Sequence, residues 1–179
     1  VKITVVVTLL QLFTSSFAAY AFAKMQFKGK NVLFLGYIAT IAVPWQAYML
    51  PQFMMMSSWH LNNTHLAIMC LQAFSAFGVF LMKQFYEGVP TELCEAARID
   101  GLSEYGIWWH IMLPLSLPAL STRPIFPFVN TWNAFLGPLI YLTKTELKTI
   151  QLGLRMFITQ SSAEYGLIMA ASVVALIPV

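Results

Sequence analysis

Charge is what this chain has least of. Only 9% of its 179 residues are Asp, Glu, Lys or Arg, against about 25% in an ordinary soluble domain. With 59% hydrophobic residues and a mean hydropathy of +0.71, it cannot cover a folded surface with water-compatible side chains. A polytopic membrane protein is the expected class. Basic clusters are absent too: a net charge of +3, dispersed along the chain, offers no Lys/Arg block for nucleic acid. Cysteine is scarce. Cys70 falls in an apolar run and Cys94 in a polar stretch, so they make neither a secreted disulfide framework nor a metal site. No G-x-x-x-x-G-K-[ST] phosphate loop occurs, so the chain would not itself hydrolyse ATP. No HExxH helix, Ser/His pair or paired acids at membrane depth marks a catalytic centre, and no charged ring marks an ion-selective pore.

What acid there is lies together. Glu87, Glu92, Glu95, Asp100 and Glu104 are five of the seven acidic residues, and all fall in residues 87–114 between strongly apolar flanks. A polar island between such flanks is where a membrane protein meets a soluble partner. Pro90 suits the first position of a helix, and Glu92 complements the positive end of its dipole. Leu93, Ala96, Ala97 and Asp100 follow at helical spacing. Gly101 is a natural C-terminal stop, and Ser103 can cap a second short helix running into Trp108, Trp109 and His110. The expectation is two short helices meeting at a glycine turn against the membrane surface. Ala96 and Ala97 would leave a low spot where another protein's backbone comes close.

These residues carry a resemblance. EAARIDG followed by IMLP resembles the EAA loop of permease subunits of ATP-binding-cassette importers, with Glu95, Ala96, Ala97, Gly101, Ile111, Leu113 and Pro114 at the matching positions. Asp100 before the glycine resembles the carbohydrate branch, as do AAYAFAKMQFKGK and FVNTWNAFLGPLIYL. The resemblance implies an all-α polytopic transmembrane helical bundle, the permease core of a type I importer. It would be one domain over 1–179, truncated at both ends, with a cytoplasmic coupling loop at 83–113. Glu95, Ala96, Ala97, Asp100 and Gly101 would couple it to cytoplasmic ATPase subunits. Further implied partners are a second related permease subunit, an extracytoplasmic solute-binding protein and the lipid bilayer of a bacterial inner membrane. ATP would be used by the partner subunits; no cofactor or metal is expected on this chain, and no catalysis. A permease for a non-sugar solute, a membrane enzyme and a channel remain the alternatives.

The apolar segments predict about five spans, each crossing needing about 20 residues. Residues 1–23 form the first, anchored on the cytoplasmic side by Lys24, Lys28 and Lys30. Residues 32–56 form the second, kinked by Pro44 and Pro51, with Pro44 and Gln46 near mid-span. Residues 57–65 are an outer loop, and 66–82 a third span ending inside at Lys83. Residues 111–142 form the fourth, interrupted by Pro114, Pro118, Pro124, Pro127 and Pro138. An outer loop at 143–163 and a last span from 164 follow. Along the fourth segment Arg123, Phe126, Asn130, Asn133 and Gly137 share a helix face. Polar groups at that depth face a bundle interior or a water-filled cavity, so Asn130, Trp132 and Asn133 are the candidate substrate path. The other reading of the asparagines is helix-to-helix bonding. Arg123, Pro124, Pro127 and Ala134 depart from the family's pattern, and an arginine in a span requires a partner.

Overall fold

The computed structural model describes residues 1–160 and 165–178, and every regular element among them is helical. Helix α1 (Lys2–Lys24) is the one unbroken helix among the described residues long and apolar enough to cross a membrane. Its buried positions include Thr4, Thr8, Ser15, Ser16 and Ala19, while Leu9, Phe13 and Phe17 are exposed. A helix in water would reverse this. In lipid, apolar side chains gain little by hiding, and small ones let helices approach. The closest approach is to α5 (Ala76–Glu87), where a Cβ on Gly78 would collide with Ser15 Oγ and Arg123 Nη2.

The other spans are broken. α2 (Lys30–Ala39), a 3-10 turn (Thr40–Ala42) and α3 (Trp45–Ser58) together turn through 100°. The break falls at Pro44, because the residue before a proline is driven to extended backbone and Val43 has ψ 114°. Pro51, expected to kink the same span, lies within a continuous α3. The expected third span is two helices, α4 (His65–Leu71) and α5, meeting at 46°. Residues 72–75 separate them. Their freed carbonyls are taken up by α1: Gln11 Nε2 donates to Gln72 O at 2.7 Å and Thr14 Oγ1 to Ala73 O at 2.9 Å. Ser75 Oγ caps α5 by accepting from Gly78 N–H at 3.0 Å. Interrupted helices persist at membrane depth where protein satisfies the backbone groups they release.

The fourth segment is more divided still. A π-helical turn (Trp108–Met112) leads into α8 (Leu113–Leu115), α9 (Leu117–Thr122), α10 (Ile125–Trp132) and α11 (Leu136–Tyr141). Leu113 N–H reaches back to Trp108 O, widening the turn just ahead of Pro114, which has no N–H to give. A 3-10 turn (Thr145–Leu147), α12 (Ile150–Gln160) and α13 (Tyr165–Leu176) complete the chain. The boundary between the expected outer loop and last span falls on residues 161–164, outside the described residues. Among the described residues, one helix meets the requirement of a crossing by length and apolarity, or up to three if each bent pair is one span.

The elements define two ends. Asn63 Oδ1 accepts from Thr143 N–H at 2.7 Å, Thr143 Oγ1 at 2.6 Å and Lys144 N–H at 3.2 Å. His65 Nε2–H donates to Leu147 O at 2.9 Å. The loops expected outside therefore meet. At the other end Lys24 Nζ donates to Val89 O at 2.5 Å, joining the two segments expected inside. One apolar cluster gathers at each end, around Tyr86 and Trp108 and around Val7, Ile68 and Tyr141.

Because side chains fill the space over Gly78, Gly78→Val should separate α1 from α5 and cost about 1–3 kcal/mol. Thermal melting of the solubilised protein reads this as a lowered Tm; an unchanged Tm would refute the close approach.

Candidate functional site

The polar island folds as two short helices. α6 (Glu92–Ile99) starts after Thr91, two residues later than Pro90 suggested, and carries Glu92 and Glu95 in its first turn. It ends in a Schellman motif: Leu102 N–H donates to Ala97 O at 3.0 Å and Gly101 N–H to Arg98 O at 3.0 Å. That geometry puts Gly101 at φ +83°, a conformation costing other L-residues about 1–2 kcal/mol. Ser103 Oγ accepts from Gly106 N–H at 3.2 Å and caps α7 (Glu104–Ile107). Cys94 and Ala97, three apart on one face, are 0% and 3% exposed in the inner cluster. Ala96 faces out. The low spot expected from both alanines is therefore formed by Ala96 alone, and Ala97 instead serves packing. Around Ala96 stand exposed Leu93, Ile99 and Leu102, with the acids Glu92, Glu95 and Asp100. Ile99 is 86% exposed. Sequence reasoning passed over it, although it lies five residues beyond Cys94, away from the buried face.

A polar strap ties this island to α1. Arg98 grips Glu104 with both ends of its fork, Nε to Oε1 at 2.7 Å and Nη2 to Oε2 at 3.2 Å. Tyr20 on α1 donates its hydroxyl to Glu104 Oε2 at 2.6 Å. The Arg98 hydrogen bonds hold the Glu104 carboxyl below the ordinary range; burial opposes them and Tyr20 adds to them. Deeper, the Tyr86 hydroxyl lies 2.6 Å from Ser16 Oγ and 3.3 Å from Ser116 Oγ, and Trp108 Nε1 donates to Ser16 Oγ at 3.1 Å. Hydrogen bonds thus connect the island and the turn that follows it to α1, α5 and the α8–α9 junction.

Further along the bundle the broken helices enclose a cavity of about 510 Å³, within the range of small-ligand sites, about 300–1,000 Å³. Its polar wall includes Gln11, Gln46, Gln52, Gln72, Asn130 and Arg123, with Trp45 and Phe126 among its aromatic surfaces. Of the three candidate path residues the structure brings only Asn130 to this wall. Trp132 is buried elsewhere, its Nε1 donating to Ala175 O on α13 at 3.0 Å and its ring stacked on Phe128. Asn133 accepts from Gln151 Nε2 on α12 at 3.2 Å. α10 ends at Trp132, so the face extrapolated through Asn133 does not continue. Arg123 also lines the cavity, on the junction between α9 and α10. Three wall glutamines escaped sequence reasoning; the signal was Gln72 with Ser75 in an otherwise apolar run.

This architecture has a solved counterpart. A bacterial ABC transporter involved in the import of the acidic polysaccharide alginate matches with a TM-score of 0.85 and 25% identity, covering 98% of this chain and 67% of that one. The chain belongs to the family described as binding-protein-dependent transport system inner membrane component, which matches residues 11–179. Among curated relatives, the arabinooligosaccharides transport system permease protein of Halalkalibacterium halodurans is 38% identical over 179 residues, 100% of this chain and 64% of that protein. The lactose transport system permease protein of Rhizobium radiobacter is 37% identical over 178 residues, 99% and 65%. The chain thus spans a little under two thirds of these relatives.

A carboxylate with a depressed folded pKa stabilises fully above its unfolded value, and that stabilisation fades as pH falls through the folded one. Wild type and Glu104→Gln should therefore differ in Tm by a constant amount near neutrality and converge in acid, below the ordinary 4.5. The pair is part-exposed, so the neutral-pH gap should be about 1 kcal/mol or less. A gap that does not change with pH would show that the Glu104 charge contributes nothing.

Proposed function

We propose that this chain is the membrane-spanning permease subunit of an ATP-binding-cassette importer that moves a sugar or oligosaccharide into the cell. The chain performs no catalysis. Cytoplasmic ATPase subunits dock on α6 and α7, a second related permease completes the pathway, and an extracytoplasmic solute-binding protein delivers the cargo. The observation that carries this reading is the island itself. A short helix exposes Ile99 and Ala96 among carboxylates, is stopped rigidly by Gly101, and is wired to the membrane helices through Glu104 and Tyr20.

In this reading closure of the ATPases displaces α6, and the Glu104 strap and Tyr86 hub carry the displacement into α1 and α5. The cavity bearing Asn130 then alternates its opening between the two ends. Glu95 and Asp100 present charge to the ATPase cleft, and Gly101 sets the angle between the two short helices. The carbohydrate assignment rests on the kinship with proteins named for arabinooligosaccharides and lactose. The amide-rich wall supports it, since side-chain amides both donate to and accept from hydroxyls.

The full-length protein, expressed with its partner subunits, tests this. Ile99→Asp should weaken ATPase association at least about tenfold, the worth of burying one large apolar side chain, and Glu95→Lys should abolish co-purification. Gly101→Pro cannot reach φ +83° and loses the N–H that bonds Arg98 O, so it should leave insertion intact while ATP-dependent sugar uptake disappears. Wild-type association in the first two variants, or normal uptake in the third, would remove the island from the coupling path.

A further inference from the structure

Among the described residues lining the cavity, Arg123 carries the only charge. Its guanidinium is held against α5, since the site of a Cβ on Gly78 lies 2.6 Å from Nη2. The other end points to a need: Nη1 is buried and has no hydrogen-bond partner among the described residues. The ion pairs among those residues, Lys83 with Glu87 and Arg98 with Glu104, both belong to the polar island and its approach, away from the cavity. A guanidinium keeps its charge at neutral pH, so burial leaves it a cation in need of a partner. Its planar fork matches the two oxygens of a carboxylate.

The surroundings of Arg123 suit a particular carrier of that carboxylate. Gln11, Gln72 and Asn130 line the same space, as do the aromatic residues Trp45 and Phe126. Amides serve hydroxyl groups, and aromatic faces serve the apolar C–H faces of a pyranose. We propose that the cavity is selective for an acidic oligosaccharide, whose uronate carboxylate pairs with Arg123 while its hydroxyls meet the amide wall. This rests on the permease reading above and narrows it to a substrate class. It gives the arginine a ligand partner present only when cargo is bound, so that the empty pathway carries an uncompensated positive charge.

The test uses the full-length permease pair with its ATPase subunits, reconstituted in nanodiscs without the solute-binding protein. Equilibrium binding is measured for trigalacturonate and for its fully methyl-esterified form, which has the same rings without charge. The acid should bind at least about tenfold more tightly, the worth of one hydrogen-bonded charge pair. Arg123→Gln should erase the preference for acid over ester, and Arg123→Lys should keep part of it. Equal binding of acid and ester to the unmodified protein overturns the proposal whatever the variants do, as does a preference that survives Arg123→Gln. Loss of subunit assembly in Arg123→Gln, with no acid preference in wild type, assigns the guanidinium to a protein carboxylate instead. ATP-driven uptake of a neutral oligosaccharide without acid preference defeats the Arg123 proposal and preserves the permease reading. Failure of any ATPase subunit to associate defeats the permease reading itself.

Discussion

The hydroxyl of Tyr86 holds the inner half of this bundle together. It sits between Ser16 on α1 and Ser116 at the α8–α9 junction, and Ser16 in turn receives the Trp108 indole N–H. All four residues are fully buried. In a medium of low dielectric each of these bonds is stronger than in water, and each group left unpaired is more costly. Dispersion between helices alone leaves them free to slide. A three-way polar junction defines one register for α1, α5 and the π-helical turn, and the apolar cluster around Trp108 and Met112 fills in around it.

Interruptions of the helices have a shared consequence. At residues 72–75, at Pro44 and at 123–124, backbone continuity is given up, and each break borders the cavity or lies close to it in sequence. Released carbonyls at the first break are taken by Gln11 and Thr14, so α1 acts as a satisfying partner along its length. Continuous apolar cylinders would have packed more simply, but would have left no polar wall. The breaks put Gln72, Ser75 and Arg123 at one internal surface. At membrane depth such a polar surface persists only where protein or a cavity lines it.

Mechanical continuity between that cavity and the island follows from α1. Its inner end meets Glu104 through Tyr20 and Val89 through Lys24, its middle meets Tyr86 through Ser16, and beyond that Gln11 reaches the cavity wall. Lys24 is only 7% exposed, so this residue, which reads from sequence as a topology anchor, is also a strut. The one straight helix thus links the island to the cavity. A rigid rod transmits displacement better than the jointed helices around it.

The amino-acid sequence by itself determined the membrane class, the family and the island's local form. Each of these depends on composition or on residues close in the chain. Gly101 ends α6 and Ser103 starts α7 because a positive φ and a helix cap are short-range requirements, legible in six residues. Proline positions announced that the fourth segment would not be straight, and Pro44 broke the second as its neighbours required. Tertiary structure decided the rest. Whether Ala96 or Ala97 faced out depended on which side of α6 met the inner cluster. Whether Asn130, Trp132 and Asn133 shared a wall depended on where α10 stopped, and α12 and α13 claimed the latter two. The Tyr86 junction joins residues 70, 30 and 92 positions apart. No local pattern encodes such a meeting: it exists only once packing of small residues on α1 against Gly78 has brought the helices within hydrogen-bond reach.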